Sequence, residues 1–198
     1  MTEKTDSEKG AERREYFRID DDVHLTFRTL TETDYRRALE SPEAEGAEPC
    51  NLVAQLHSLS SQAGHILSSI RKSDPEIAQY LALMDKKLDL VAGIAEGTRY
   101  EDQAPNARVN IGAGGLAFPH SEALPLDTKL EVKVLLFPSY LCVSALGRVV
   151  HCEGTEEREK PYRIGLEFTR IAQGEQDALI KHVLELQSAL LRRQRGEE

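Results

Sequence analysis

The 198-residue chain is 40% hydrophobic and 30% charged, with a formal net charge of -9, an ordinary balance for a globular protein. No apolar run approaches the roughly 18 residues that a membrane helix requires, so no membrane insertion is expected, and the acidic balance argues against DNA or RNA as a partner, since polyanion binders carry a broad basic surface. The N-terminus lacks the apolar core of a signal peptide, and the three cysteines, Cys50, Cys142 and Cys152, imply no disulfide framework, which makes a reduced, cytoplasmic setting the simplest expectation.

Residues 1–11 are polar, without apolar periodicity, and read as a disordered tail. Next comes "ERREYFRIDDD", in which Arg13, Arg14 and Arg18 precede three aspartates and are interleaved with Tyr16, Phe17 and Ile19. A solvated tail has no need of the aromatics and a buried strand no use for the arginines. The combination describes an arm running into a strand, with guanidinium groups waiting for an anion at the junction. Alternation in "HLTFRTL" predicts that strand from about Val23 to Arg28. "TETDYRRALE" then reads as a short helix capped by Thr31, followed by an acidic linker.

Helical spacing follows. Leu52, Leu56, Leu59, Ala63, Ile66 and Ile70 form one heptad series, and Ile77, Leu81, Met84, Leu88, Val91 and Ala95 a second. Between them "SDPE" offers a cap and a proline suited to a first helical turn. Two helices, about 50–72 and 75–96, are expected, or one long helix kinked at Pro75. From residue 107 the period returns to two, predicting strands at 107–111, 115–119, 129–136, 141–153 and 162–170, with Gly, Pro, Asn and Asp between them. The last segment, with Leu179, Val183, Leu186 and Leu190 on one stripe and "RRQR" at its end, is an amphipathic helix whose basic terminus suits the negative pole of the dipole. The order describes an α+β fold: a small antiparallel β-barrel interrupted by a long heptad-bearing helical insertion and closed by a C-terminal helix.

The glycine turn "NIGAGG", residues 110–115, lies between two strands and lets backbone amides approach a ligand, while Asn110 adds a side-chain amide. No catalytic set accompanies it. The six histidines, His24, His57, His65, His120, His151 and His182, show no metal-ligand spacing with the cysteines. Neither a metal nor a cofactor is expected, and the chain reads as a non-enzyme.

Taken together, "RREYFRI" and "VNIGAGGLAF" resemble the PilZ domain, a family of bacterial cyclic di-GMP receptors. Its R-x-x-x-R segment is matched by Arg14 and Arg18, and its D/N-x-S-x-x-G segment by Asn110 and Gly115, with Gly112 where the motif has serine. "LGRVVHCE" and "YRIGLEF" resemble the later strands. The helical block resembles the atypical tetrameric PilZ subgroup. The resemblance implies a PilZ β-barrel with C-terminal helix from 12–30 and 105–195, and a helical insertion for oligomerisation at 31–104. Arg13, Arg14, Arg18, Asn110, Gly112 and Gly115 would hold cyclic di-GMP, second-messenger binding that signals to an unknown protein partner. Leu52, Leu56, Leu59, Ile66, Ile70, Ile77, Leu81, Met84, Leu88 and Val91 would join the homo-oligomer, a tetramer. Arginine suits such a ligand because its planar fork pairs with phosphate and with guanine O6 and N7. The alternatives are a non-ligand-binding PilZ scaffold for protein–protein contacts and, locally, an arm docked by Tyr16 and Phe17 whose arginines pair with Asp20 to Asp22.

Overall fold

The computed structural model describes residues 17–40, 52–100 and 102–196. The tail at 1–11, Arg13, Arg14, the acidic linker and Cys50 lie outside them. Six strands, β1 (Arg18–Leu30), β2 (Ala107–Gly112), β3 (Gly115–His120), β4 (Lys129–Leu136), β5 (Leu141–Gly154) and β6 (Tyr162–Ile171), form a closed barrel in the order β1-β2-β3-β6-β5-β4. Every neighbouring pair is antiparallel. This is the α+β barrel that the alternating sequence predicts.

Alternation explains which side chains fill it. In β4, Leu130, Val132 and Val134 are buried while Lys133 between them is exposed, the period-two pattern of a sheet with one wet face. With Val23, Val109, Ile111, Leu116, Phe118, Val143, Ile164 and Leu166 they make one continuous core. β1 is longer than expected at both ends. It begins at Arg18 rather than near Val23 because Arg18–Val23 pair with β2, whereas His24–Leu30 turn to pair with β4. One strand thus serves two neighbours, which is what closing a small barrel demands. The aspartates that weaken the strand signal are accommodated individually: Asp20 and Asp22 lie exposed, and the Asp21 carboxylate accepts a hydrogen bond at 2.9 Å from Nε2 of the buried His182.

Four helices complete the described chain. Helix α1 (Glu32–Glu40) is capped as expected by Thr31, whose hydroxyl accepts from the Asp34 N–H at 3.1 Å. Helices α2 (Leu52–Ser73) and α3 (Pro75–Arg99) are separate, with only Asp74 between them. Asp74 is extended (φ -145°) and its carboxylate accepts from the Ile77 N–H at 3.1 Å, with Pro75 in the first turn. Helix α4 (Gln173–Arg195) sends Ala178, Leu179 and Val183 into the barrel core, and α2 adds Val53 and Ala54. One expectation is corrected. Cys142 is disulfide-bonded and Cys152 is free. An odd count of three excludes full pairing but leaves room for one bridge.

Candidate functional site

Register, not proximity in sequence, assembles the candidate site. The antiparallel ladder of β1 and β2 sets Arg18 opposite Gly112 and Asp20 opposite Asn110. Side chains two apart on a strand share a face, so Arg18 and Asp20 lie together on the outer surface, beside the β2–β3 turn. The ladder continues laterally: Gly112 faces Gly115, Gly115 faces Glu167, and Glu167 faces Arg148. The row therefore runs from one arginine across two glycines to an acid–arginine pair. Arg148 binds Glu167 at 2.7 Å and Asp127 at 3.3 Å, contacts that raise its pKa above the ordinary arginine value.

The two glycines are required by close backbone approach. A Cβ on Gly112 would stand 2.4 Å from the Phe17 carbonyl oxygen and 2.9 Å from Arg18 Cγ. Gly115 has φ +156°, and a Cβ there would stand 2.2 Å from the Leu166 carbonyl oxygen. The turn between them is fixed from two sides. The Phe168 N–H donates to the Gly114 carbonyl at 3.0 Å, and Gln176 of α4 donates through Nε2 to the Ala113 carbonyl at 3.2 Å. These two contacts hold the turn in one arrangement.

Of the residues singled out in the sequence, Arg18, Asn110, Gly112 and Gly115 therefore meet at one edge of the barrel, while Arg13 and Arg14 lie outside the described residues. Asn110 donates through Nδ2 to the Asp20 carboxylate at 2.8 Å. Asp20 is thus engaged by β2 and Asp21 by His182. Sequence reading missed both partnerships, and also Gln176 and the Arg148–Glu167 pair, because each joins segments far apart in the chain. Among the described residues no group of three His, Cys, Asp or Glu side chains is placed to hold a metal ion.

The helical block presents a second surface. Leu52, Leu59, Ile66, Ile77, Leu81, Met84, Leu88 and Val91 are exposed, and Leu56 and Ile70 half-buried. Tyr80, Leu83, Leu90 and Ile94 are exposed as well, at 62%, 51%, 68% and 72%, so α3 carries a second apolar seam that the first heptad reading passed over. What α3 turns inward is a stripe at the same spacing but of different chemistry: Ala78, Ala82, Asp85, Asp89, Ala92 and Glu96 are all buried or half-buried. Small residues allow α3 to lie close to α2, and the large apolar side chains are left in solvent. No described helix is long and apolar enough to cross a membrane.

Comparison with known proteins gives the following. The family model of the PilZ domain matches residues 96–185, which covers β2 to β6 and the first half of α4 but not β1. No curated protein matches the sequence. Among solved structures, the chain is similar to a tetrameric PilZ domain of a pathogenic protein from Xanthomonas campestris, self-assembled through a helical bundle. The identity is 18% and the TM-score 0.49, over 89% of this chain and 91% of that one. It is also similar to the Bacillus subtilis inhibitor of motility, MotI/DgrA, with 25% identity and a TM-score of 0.37, over 41% of this chain and 42% of that one.

Proposed function

We propose that this chain, which carries a PilZ domain at residues 96–185, is a receptor for cyclic di-GMP that assembles through its helices and signals to a protein partner. A PilZ domain is a regulatory binding domain, not an enzyme, and the reading assigns the chain no reaction. The observation that carries it is the β1–β2 register, which brings Arg18 across from Gly112 and within one step of Asn110. Arg18, with Arg13 and Arg14 ahead of it, would pair with the two phosphates and the guanine edges of the ligand. Charge-assisted pairing of this kind is about twice as strong as a neutral hydrogen bond. Asn110 and the clamped amides from Gly112 to Gly115 would hold a base. The exposed seams of α2 and α3 support association of several copies, a tetramer in this reading, because apolar patches of that extent are rarely left in water.

Titration calorimetry with cyclic di-GMP tests the receptor reading. Micromolar or tighter binding is expected for the wild-type chain, and none for the Arg14→Ala/Arg18→Ala double variant. Absence of binding by the wild type at high ligand concentration would sink it. A second reading, a scaffold that no longer binds nucleotide, is favoured by one observation: the Phe17 carbonyl occupies the space where the motif serine would place its side chain. Under that reading the double variant keeps its partner binding unchanged.

A further inference from the structure

Resting on the receptor reading above, the Asn110–Asp20 contact carries an inference about ligand choice. An asparagine side chain offers a donor group and an acceptor group, and either end can face a ligand. Here the choice is decided by chemistry. An ionised carboxylate only accepts, so the partner at 2.8 Å from Asp20 Oδ1 has to be the Asn110 NH2. The Asn110 carbonyl Oδ1 is then the atom left to meet a ligand, and no described residue donates to it. Asp20 stands directly across the ladder from Asn110, so the orientation is built into the register of β1 on β2.

We propose that Asp20 is a positioning residue that makes Asn110 present an acceptor, so that the site selects a guanine over an adenine base. Guanine offers N–H donors side by side at N1 and N2. Adenine offers one amino donor next to a ring nitrogen that accepts, and that nitrogen would face the Asn110 oxygen. Rejection of a mismatched edge is strong where a buried polar group is left unpaired and weaker at an open surface. Asp20 is exposed and Asn110 half-buried, which sets a moderate expectation.

Asp20 also repels any dianion, and this opposes its benefit to affinity. The repulsion is the same for cyclic di-GMP and cyclic di-AMP, so the ratio of their affinities isolates the orienting role. The test measures both ligands on the full chain by calorimetry, with competition against cyclic di-GMP where direct heats are too small. Asp20→Ala is expected to lower the cyclic di-GMP to cyclic di-AMP affinity ratio by about three- to ten-fold. Asn110→Asp is expected to lower affinity for both ligands, since two carboxylates then face one another. The exchanged pair, Asp20→Asn with Asn110→Asp, restores donor and acceptor in reversed positions and is expected to recover most of the affinity that Asn110→Asp alone loses, with the ratio kept. Should Asp20→Ala fail to fold, Asp20→Asn, which keeps the shape but frees the amide orientation, is expected to lower the ratio less. An unchanged ratio in the Asp20 variants, or an exchanged pair no better than Asn110→Asp alone, overturns the inference and leaves the receptor reading standing. A wild type that binds neither ligand overturns both.

Discussion

At the scale of single residues, the two glycines of the turn are constrained by different neighbours, and the difference is measurable. Gly112 lies against the Phe17 carbonyl, at the entry to β1, whereas Gly115 lies against the Leu166 carbonyl, in the middle of β6. An entry segment can yield by tenths of an ångström. A strand paired on both sides, as β6 is with β3 and β5, cannot. Gly115→Ala also forces alanine into a positive φ of +156°, which costs on the order of 1 kcal/mol or more besides the crowding. Urea denaturation is therefore expected to show a loss of about 1–3 kcal/mol for Gly112→Ala, and a larger one for Gly115→Ala. The reverse order would mean that the arm, not β6, is the rigid wall of the turn. The same crowding gives Gly112 a meaning beyond a lost serine hydroxyl. Any side chain at 112 competes for space with the backbone of the arm, so restoring the motif serine is expected to displace Phe17 and Arg18.

At the scale of elements, helix α2 is held between α3 and α4, and His57 records how closely. Burial is the largest influence on it and lowers its pKa below 6.5; Lys181 of α4 also lowers it, while Asp89 of α3 and Glu185 of α4 oppose the shift. Lys181 and Asp89 also meet each other at 3.7 Å, so the three helices share one small charged cluster. With the folded pKa depressed, the unfolded chain binds the proton more readily than the folded one. The contribution of His57 to stability is then constant above about 6.5 and falls as pH drops from there to the lowered folded value. His57→Gln is expected to reduce the loss of unfolding free energy between neutral pH and pH below 6.5. An identical pH dependence in the variant would show that His57 does not sense the packing of these helices. How much of this was legible in sequence differs by element. Periodicity located all six strands, and "SDPE" marked residues 73–74 as a helix break or the site of a kink, because those signals are local: alternation, a cap, a proline. Periodicity shortened β1, since three aspartates mask a strand whose pairing is supplied by β2 and β4. The resemblance to the PilZ motifs, not periodicity, grouped Arg18 with Asn110, Gly112 and Gly115. Neither had a means of finding Asp20 on Asn110 or His182 on Asp21, contacts 90 and 161 residues apart that exist only once barrel register and helix docking are set.

At the scale of the whole molecule, the argument turns on what α3 buries and what it leaves out. A helix that folds for its own chain alone turns its large apolar residues inward. Here alanines and acids face inward and two seams face solvent, one through Ile77, Leu81, Met84, Leu88 and Val91, the other through Tyr80, Leu83, Leu90 and Ile94. A dimer formed on one seam would leave the other wet, so two seams on adjacent faces of one helix call for more than two chains. Net charge opposes this association, each chain bringing -9, and screening by salt should favour the assembly. Light scattering after size-exclusion chromatography is expected to find more than two chains in the wild type, with the oligomer strengthened by added salt. Leu88→Glu/Val91→Glu and, separately, Leu90→Glu/Ile94→Glu should each lower the mass, because a buried unpaired carboxylate is costly in either seam. Leu126→Glu provides the control, since Leu126 is 64% exposed but lies in the connection between β3 and β4 rather than on a helix, and its mass should match the wild type. If one seam variant alone changes the mass, the other face of α3 is free in the assembly and the chain pairs as a dimer. If neither does, the helices are not the oligomerisation surface.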